Sequence, residues 1–173
     1  SNGNLDVTST GESMCFSTIR VSSGKWFIEY TVSAISGTGD QAIRFANPSS
    51  KDGQLARWSA SGSTSGLNSN PSFSSYTAGD VLGVAVNMDT LQAAFYKNGV
   101  QQGTGFYTLS NYSAGDQYLP GWYSVGSGAS GSFNFGQRAF SYSVSGYKSL
   151  NTANLSSTIA DGSLYFDTKL YTG

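Results

Sequence analysis

The stretch from Gly79 to Val100 constrains the fold more than any other part of the chain. In its first half apolar and polar residues alternate, a period of two that is typical of a half-buried strand. The apolar positions on the shared side are Leu82, Val84, Val86 and Met88. A polar turn follows, then a returning apolar run that ends at Asn98-Gly99, two residues that tolerate the positive φ of a tight hairpin. The block therefore predicts a meander of two strands and a third strand after Val100.

Short runs of strand-forming residues recur along the rest of the chain. They predict strands at 4–10, 17–22, 25–34, 41–46, 55–60, 106–109, 118–125 and 132–135. Residues 61–78 are rich in Ser, Gly and Asn and predict a long surface loop, and 126–131 predict a Gly/Ser turn. No window has convincing helical periodicity, although 150–159 has room for one short helical turn. Many short strands with Gly-rich turns predict an all-β sandwich with little or no helix.

Composition excludes several classes of function. The net charge is −1 and the nine basic residues are scattered, which argues against nucleic acid as a partner. No apolar run approaches the length of a membrane span, so membrane insertion is not expected. Cys15 is the sole cysteine, which excludes an internal disulfide and a cysteine-built zinc site. The chain has no histidine, which excludes Ser-His-Asp, Cys-His and histidine-metal chemistry.

The ten acidic residues are the remaining candidates for catalysis or metal binding. A glycosidase needs two carboxyl groups about 5 to 10 Å apart across a cleft. Asp80, Asp89 and Asp116 instead occupy turn positions, where an aspartate bonds nearby backbone amides. Asp52-Gly53 and Asp161-Gly162 are isolated and have no ladder of calcium-ligand spacing. We therefore expect no catalytic residue, no metal and no cofactor.

Three blocks in register resemble the SPRY domain family. Residues 24–29 (GKWFIE) are similar to the opening strand of that family, 79–100 to its central meander, and 118–120 with 133–136 to its close. The resemblance covers about residues 20–136. It implies a concanavalin-like sandwich of two antiparallel sheets that binds partners through loops at one edge and does not catalyse a reaction. Leu91 departs from the pattern, because a polar residue is expected at that hairpin tip.

A further block narrows the resemblance. Residues 135–140 (FGQRAF) and 146–155 (GYKSLNTANL) are similar to SPRY-containing structural proteins of tailed bacteriophages and prophages. This implies a place on the virion, in the head or the tail. We expect a SPRY-like sandwich over 1–140 and a C-terminal extension over 141–173 that packs on the sandwich or leads to a following domain. The chain is expected to belong to a longer polypeptide or a homo-oligomeric assembly.

Aromatic residues in polar surroundings are the main candidates for binding, since Tyr and Trp supply large rigid contact area. By position in the resembling blocks, basic residues join them on the loop surface. The candidate binding residues are Arg44, Lys51, Arg57, Trp58, Tyr76, Trp122 and Tyr123.

The predicted function is a non-catalytic binding or structural module of a virion protein. Its expected partners are other capsid or tail proteins, or else a host-surface protein or glycan. Two alternatives stay open: a capsid decoration protein with a purely structural role, and a tail-associated enzyme that cleaves polysaccharide.

Overall fold

The computed structural model describes residues 5–36, 41–46, 56–110 and 112–155. These residues form two β-sheets and a short 3-10 turn, Thr152–Asn154. Within these ranges no helix is long and apolar enough to cross a membrane. The strands in chain order are β1 Asp6–Thr10, β2 Ser13–Phe16, β3 Lys25–Ala34, β4 Gln41–Ala46, β5 Ala56–Ser59, β6 Thr64–Ser65, β7 Val81–Asn87, β8 Gln92–Lys97, β9 Val100–Gln101, β10 Tyr107–Thr108, β11 Leu119–Ser124, β12 Ser127–Asn134 and β13 Lys148–Ser149.

The larger sheet has the strand order β1-β12-β3-β7-β8-β10. Its centre is the meander predicted from 79–100: β7 pairs antiparallel with β8, and β9 follows the Asn98-Gly99 turn to pair with β8. Asn98 and Gly99 both have the positive φ that this turn requires. On the other side of β3, β12 pairs antiparallel and β13 continues along the same edge in parallel.

The smaller sheet has the order β2-β11-β4-β5-β6, all antiparallel. Alternate residues of its strands point toward the larger sheet and fill the core. Ile43, Phe45, Trp58 and Trp122 are among these inward residues, and each is at most 2% exposed. They meet the inward side chains of the larger sheet, as at Phe45 and Phe95, whose rings stack with centroids 5.5 Å apart. Such burial of apolar area between two sheets is the main stabilising term of a sandwich.

The outer face of the larger sheet is covered by residues 139–149, which we call the strap. The Phe140 ring contacts Phe27 edge-on, with centroids 4.9 Å apart. The buried carboxylate of Glu29 accepts hydrogen bonds from the backbone N–H of Ser141 at 2.9 Å and of Tyr142 at 2.7 Å. The strap ends in β13, and the next residue, Leu150, is fully buried. Part of the predicted C-terminal extension therefore packs on the sandwich, while 156–173 lie outside the described residues.

Two predictions of local structure are wrong. The strand expected at 17–22 is replaced by β2 four residues earlier, and Val21 makes only an isolated bridge to Tyr118. Residues 127–131 of the expected turn belong to β12, which continues into the strand expected at 132–135. Small residues are needed in β12 because a β-carbon on Gly131 would overlap the Tyr30 ring of the neighbouring strand. Serine and glycine thus fit a crowded strand here and do not mark a turn.

The expected long loop at 61–78 includes the short strand β6 but is otherwise irregular. Leu91, unexpected at a hairpin tip, adopts a φ of 53° and packs half-buried against the core. The helical turn expected within 150–159 is present as the 3-10 turn.

Candidate functional site

Three of the seven candidate binding residues lie in the core. Trp58 is 0% exposed, Trp122 2% and Tyr76 4%. The expectation that these aromatic side chains form a surface patch is therefore wrong. Lys51 lies outside the described residues.

Trp58 is buried because the following segment folds over it. Its ring meets Phe73 and Tyr76 edge-on, with centroids 5.6 and 5.3 Å away, and its Nε1 donates to the Ser74 carbonyl oxygen at 3.2 Å. The Tyr76 hydroxyl donates to the carbonyl oxygen of Gln41 at 2.8 Å. Both acceptors are backbone carbonyl oxygens distant in sequence, and they satisfy the polar atoms of the two buried rings, as Trp and Tyr require when they leave water.

Trp122 is buried from the neighbouring strand. The side-chain amide of Gln41 is oriented so that its nitrogen faces an acceptor and its oxygen faces a donor. In this orientation the oxygen accepts a hydrogen bond from Trp122 Nε1 at 3.1 Å. Cys15, the residue opposite Trp122 on β2, also packs against the core, and burial raises the pKa of its thiol.

The other three candidates come together on the outward face of the smaller sheet. Arg44 of β4 and Arg57 of β5 are directly opposite each other in the antiparallel register, so their side chains share a face. Tyr123 of β11 lies on the same face, opposite Ala42. All three are half-buried. They lie on strands, whereas the resemblance implied loops at one edge.

Arg44 and Tyr123 are in direct contact. The guanidinium carbon of Arg44 lies 3.7 Å from the centre of the Tyr123 ring, which is a cation–π arrangement. The Tyr123 hydroxyl donates to a carboxylate oxygen of Glu12 at 3.2 Å. The ring is thus held at its edge by Glu12 and covered by Arg44.

Strand β2 adds two residues that the sequence analysis missed. Met14 is opposite Tyr123 and is 56% exposed, and Phe16 is opposite Gly121, where a β-carbon would overlap its ring. The run Met14-Cys15-Phe16 has three apolar residues in succession, so it carries no alternation that would assign two of them outward. We call Met14, Phe16, Arg44, Arg57 and Tyr123 the Arg44 face.

Phe16 also borders an apolar groove of about 470 Å³ next to the Arg44 face. The apolar residues that line it are Leu5, Phe16, Ile19, Phe135 and Leu150.

The acidic side chains named in the sequence analysis have structural partners where they are described. Asp89 accepts from the Gly24 N–H at 2.8 Å, and Asp116 from the Ser113 N–H at 2.8 Å. In the described ranges, no three Cys, Asp or Glu side chains are grouped so that they could hold a metal ion.

Asp80 has the densest set of partners. It accepts from the Thr77 N–H at 2.8 Å and from Asn98 Nδ2 at 2.7 Å, and it lies 3.1 Å from Lys97 Nζ. Partial burial disfavours the charge of this carboxyl, but these donors outweigh it and lower its pKa below the ordinary value. Asp80 thus joins the start of β7 to the hairpin turn.

Comparison of structures assigns the fold. The SPRY domain of human HERC1 superimposes with a TM-score of 0.63, at 18% identity, and covers 80% of this chain and 92% of that domain. A second human SPRY domain gives a TM-score of 0.57 at 15% identity, over 79% of this chain and 94% of the other. The chain therefore has the SPRY fold, a nearly all-β sandwich of two antiparallel sheets, and this prediction is confirmed.

Comparison of sequences gives a shorter match. No family model matches the chain. A segment of 79 residues is 34% identical to the E3 ubiquitin-protein ligase RKP of Arabidopsis thaliana. It makes up 46% of this chain and 6% of the plant protein, so the chain spans a small part of that relative. These three relatives are human and plant proteins, and the tailed-phage setting stays a prediction.

Proposed function

We propose that this chain is a non-catalytic module that binds another protein through the Arg44 face. The supporting observation is that Arg44, Arg57 and Tyr123, which lie on three neighbouring strands, share one half-buried surface. Arginine and tyrosine are enriched in the residues that dominate binding energy at protein interfaces. Met14 adds an exposed, flexible apolar side chain beside them.

The positions of the acidic residues support a binding module over the polysaccharide-cleaving alternative. Asp80, Asp89 and Asp116 accept hydrogen bonds from the backbone of their own or neighbouring turns. Glu29 is buried under the strap, away from any substrate. A glycosidase needs two carboxyl groups facing one open cleft.

Site-specific photocrosslinking tests the proposal. A benzophenone amino acid is placed at Met14 in the full-length protein, in the particle or cell that contains it, and the crosslinked species is identified by mass spectrometry. We expect one discrete partner, and less product when Arg44→Gln is added. The matched control is Val100, which is 67% exposed on the larger sheet. A partner captured from Val100 but not from Met14 would refute the proposal.

We also propose that the chain belongs to a virion protein of a tailed phage, in the head or the tail. The similarity of 135–140 and 146–155 to such proteins supports this. The partner is then another capsid or tail protein, with a host-surface protein or glycan and a purely structural decoration role as the alternatives. Antibody labelling of purified particles tests the location, and particles without label would contradict it.

A further inference from the structure

Four aromatic side chains lie on the outer side of the larger sheet, where the strap passes the hairpin of β8 and β9. We call them the strap patch: Tyr96 of β8, Phe106 of the β9–β10 connection, and Tyr142 and Tyr147 of the strap. Phe106 and Tyr147 stack with their planes 11° apart and their centroids 6.1 Å apart. Partial burial, and then the nearness of the Tyr96 hydroxyl, raise the pKa of Tyr147, so Tyr96 lies close to this pair. Phe106 is 42% exposed and Tyr142 43%.

The sheet register directs Tyr96 outward. Its neighbour Phe95 is fully buried in the core, and successive residues of a strand point to opposite faces. Tyr96 therefore shares the outward row of Glu29 and Gly83, which lie directly opposite one another on β3 and β7. The strap crosses this row at Glu29, which binds the Tyr142 N–H.

Tyr142 is held at two points. Its N–H donates to the buried Glu29 carboxylate at 2.7 Å. Its ring packs on the hairpin turn, where a β-carbon on Gly99 would lie 2.6 Å from Tyr142 Cδ1. A ring that is fixed in this way and still 43% exposed presents a rigid surface to solvent. A ligand that binds there loses little affinity to the ordering of the protein.

The strap patch is formed by segments without charge. Residues 98–115 and 139–147 contain no acidic or basic residue, although the chain has nine basic and ten acidic residues. Lys97 alternates with Tyr96 along β8, and Lys148 is in register with an inward residue of β3, so both lysines are directed away from the outer face. A charged ligand would therefore find no complementary group here.

The tyrosines of the strap patch have hydroxyl groups available for a ligand. Within the described ranges, the hydroxyls of Tyr96, Tyr142 and Tyr147 have no hydrogen-bond partner in the chain. By contrast, the buried hydroxyls of Tyr76 and Tyr107 are bonded to backbone groups. Because a phenol hydroxyl both donates and accepts, the patch combines ring faces with neutral hydrogen-bonding groups.

The size of the strap patch favours a small ligand. Phe106 and Tyr142 together expose roughly 200 Å², since a large aromatic side chain has about 150 to 250 Å² that burial can remove from water. A standard protein interface uses about 800 Å² on each partner. The patch by itself therefore falls well short of a protein-binding surface.

We infer that the strap patch binds a neutral oligosaccharide built of hexopyranose units. One side of a pyranose ring presents C–H groups with a slight positive charge, which pack on the negative face of an aromatic ring. The sugar hydroxyls exchange hydrogen bonds with the tyrosine hydroxyls beside the rings. This goes beyond the proposed function, because the patch lies on the other outer face of the sandwich from the Arg44 face and does not depend on it.

An array of immobilised oligosaccharides, with both neutral and acidic sequences, tests the inference on the full-length chain. We expect binding to neutral sequences. The best of these is then titrated as the free oligosaccharide and followed in the backbone amide spectrum, where shifts are expected at Phe106, Tyr142 and Tyr147. A soluble paramagnetic agent should broaden the ring signals of Phe106 and Tyr142 before the sugar is added, and broaden them less afterwards.

Substitutions in the strap patch test its rings one at a time. Tyr142→Ala and Phe106→Ala should each weaken binding about fivefold or more, because each removes a ring that stacks on the sugar. Tyr142→Phe keeps the ring and should lose less than Tyr142→Ala. The matched control is Val125→Ala, which removes an apolar side chain that is 45% exposed outside the patch and should bind as wild type.

The backbone amide spectrum of each variant verifies its fold. An array on which nothing binds, or on which only acidic sequences bind, would overturn the inference. Shifts confined to the Arg44 face would also overturn it, as would ring signals that the paramagnetic agent does not reach, since covered rings cannot bind a sugar. None of these results bears on the proposed function, which crosslinking from Met14 tests separately.

Discussion

Trp58 joins the two sheets through its ring. It is fully buried, and it meets Phe73 and Tyr76 edge-on as well as Phe95 of the larger sheet, with a centroid distance of 6.2 Å. Trp58→Ala should lower the free energy of unfolding by about 3 to 5 kcal/mol, because it removes this burial and leaves a cavity. Urea unfolding followed by circular dichroism measures the change.

Tyr123 is the control for Trp58, because it belongs to the same sheet but lies on the outward face. Tyr123→Ala should cost about 1 kcal/mol or less, since it loses a half-exposed stacking contact. Equal losses for the two substitutions would contradict the division of these aromatics into core and surface.

Asp80 gives a prediction about pH. Because its pKa is lower in the folded chain than in the unfolded chain, its stabilising contribution is present above the ordinary aspartate pKa of about 3.9. That contribution is lost as the pH falls through the folded-state value. Asp80→Asn should therefore be less stable than wild type at pH 7, and the gap should close below about pH 4. Urea midpoints between pH 7 and 2 measure this, and a constant gap would be inconsistent with it.

At the level of single residues, the sequence identified candidate binding residues but did not indicate whether each side chain points into the core or toward solvent. Trp58 and Tyr123 both have polar neighbours in sequence, yet one is core and the other surface. The difference arises from strand pairing and from the segment that folds over Trp58. Both are long-range contacts, which local composition does not contain.

The side chain of Glu29 attaches the strap to the larger sheet. Glu29 accepts two backbone hydrogen bonds from it in a buried setting. Glu29→Ala would leave the Ser141 and Tyr142 N–H groups without their acceptor, and we expect a loss of about 2 to 4 kcal/mol and faster hydrogen exchange at both amides. Urea unfolding and exchange measured by nuclear magnetic resonance report the two effects.

Asp89→Ala is the matched control for the strap, because it removes a single carboxylate–amide bond at an exposed turn. It should cost about 1 kcal/mol or less. If Glu29→Ala left exchange at Ser141 and Tyr142 unchanged, Glu29 would not be the attachment point of the strap.

At the level of elements, runs of strand-forming residues predicted strands well, whereas small residues misled. β3 and β4 have the predicted bounds of 25–34 and 41–46. The first part of β12, 127–131, differs from the predicted turn, because Ser and Gly are typical of turns and the need for small side chains beside Tyr30 arises only in the assembled sheet. The end of β12 agrees with the strand predicted at 132–135. β2 was missed because it lacks alternation. That omission also removed Met14 and Phe16 from the predicted site.

The two outer faces of the sandwich differ. The strap crosses the larger sheet and covers Phe27. The smaller sheet keeps its two arginines and an exposed methionine on the outward face. These differences support our proposal that the smaller sheet binds the partner. A domain boundary at residue 140 stays a proposal. Because β13 pairs with β3, the larger sheet includes residues that follow this boundary.

At the scale of the whole molecule, the sequence predicted the fold class from the meander and its companion blocks, and the structural relatives confirm it. The sequence did not predict the partner in the same way. Its chemistry depends on which side chains the register brings together, and its identity depends on molecules outside this chain. The pairing of Arg44 with Arg57, for example, depends on the register between β4 and β5, which the sequence pattern does not give.

A cryo-electron microscopy structure of the native assembly that contains this chain is the most direct test of the central claim. We predict density from another protein against the Arg44 face, with contacts to Met14, Arg44 and Arg57. If the partner instead contacts the strap or the larger sheet and leaves the Arg44 face in solvent, the account of how this protein binds is wrong.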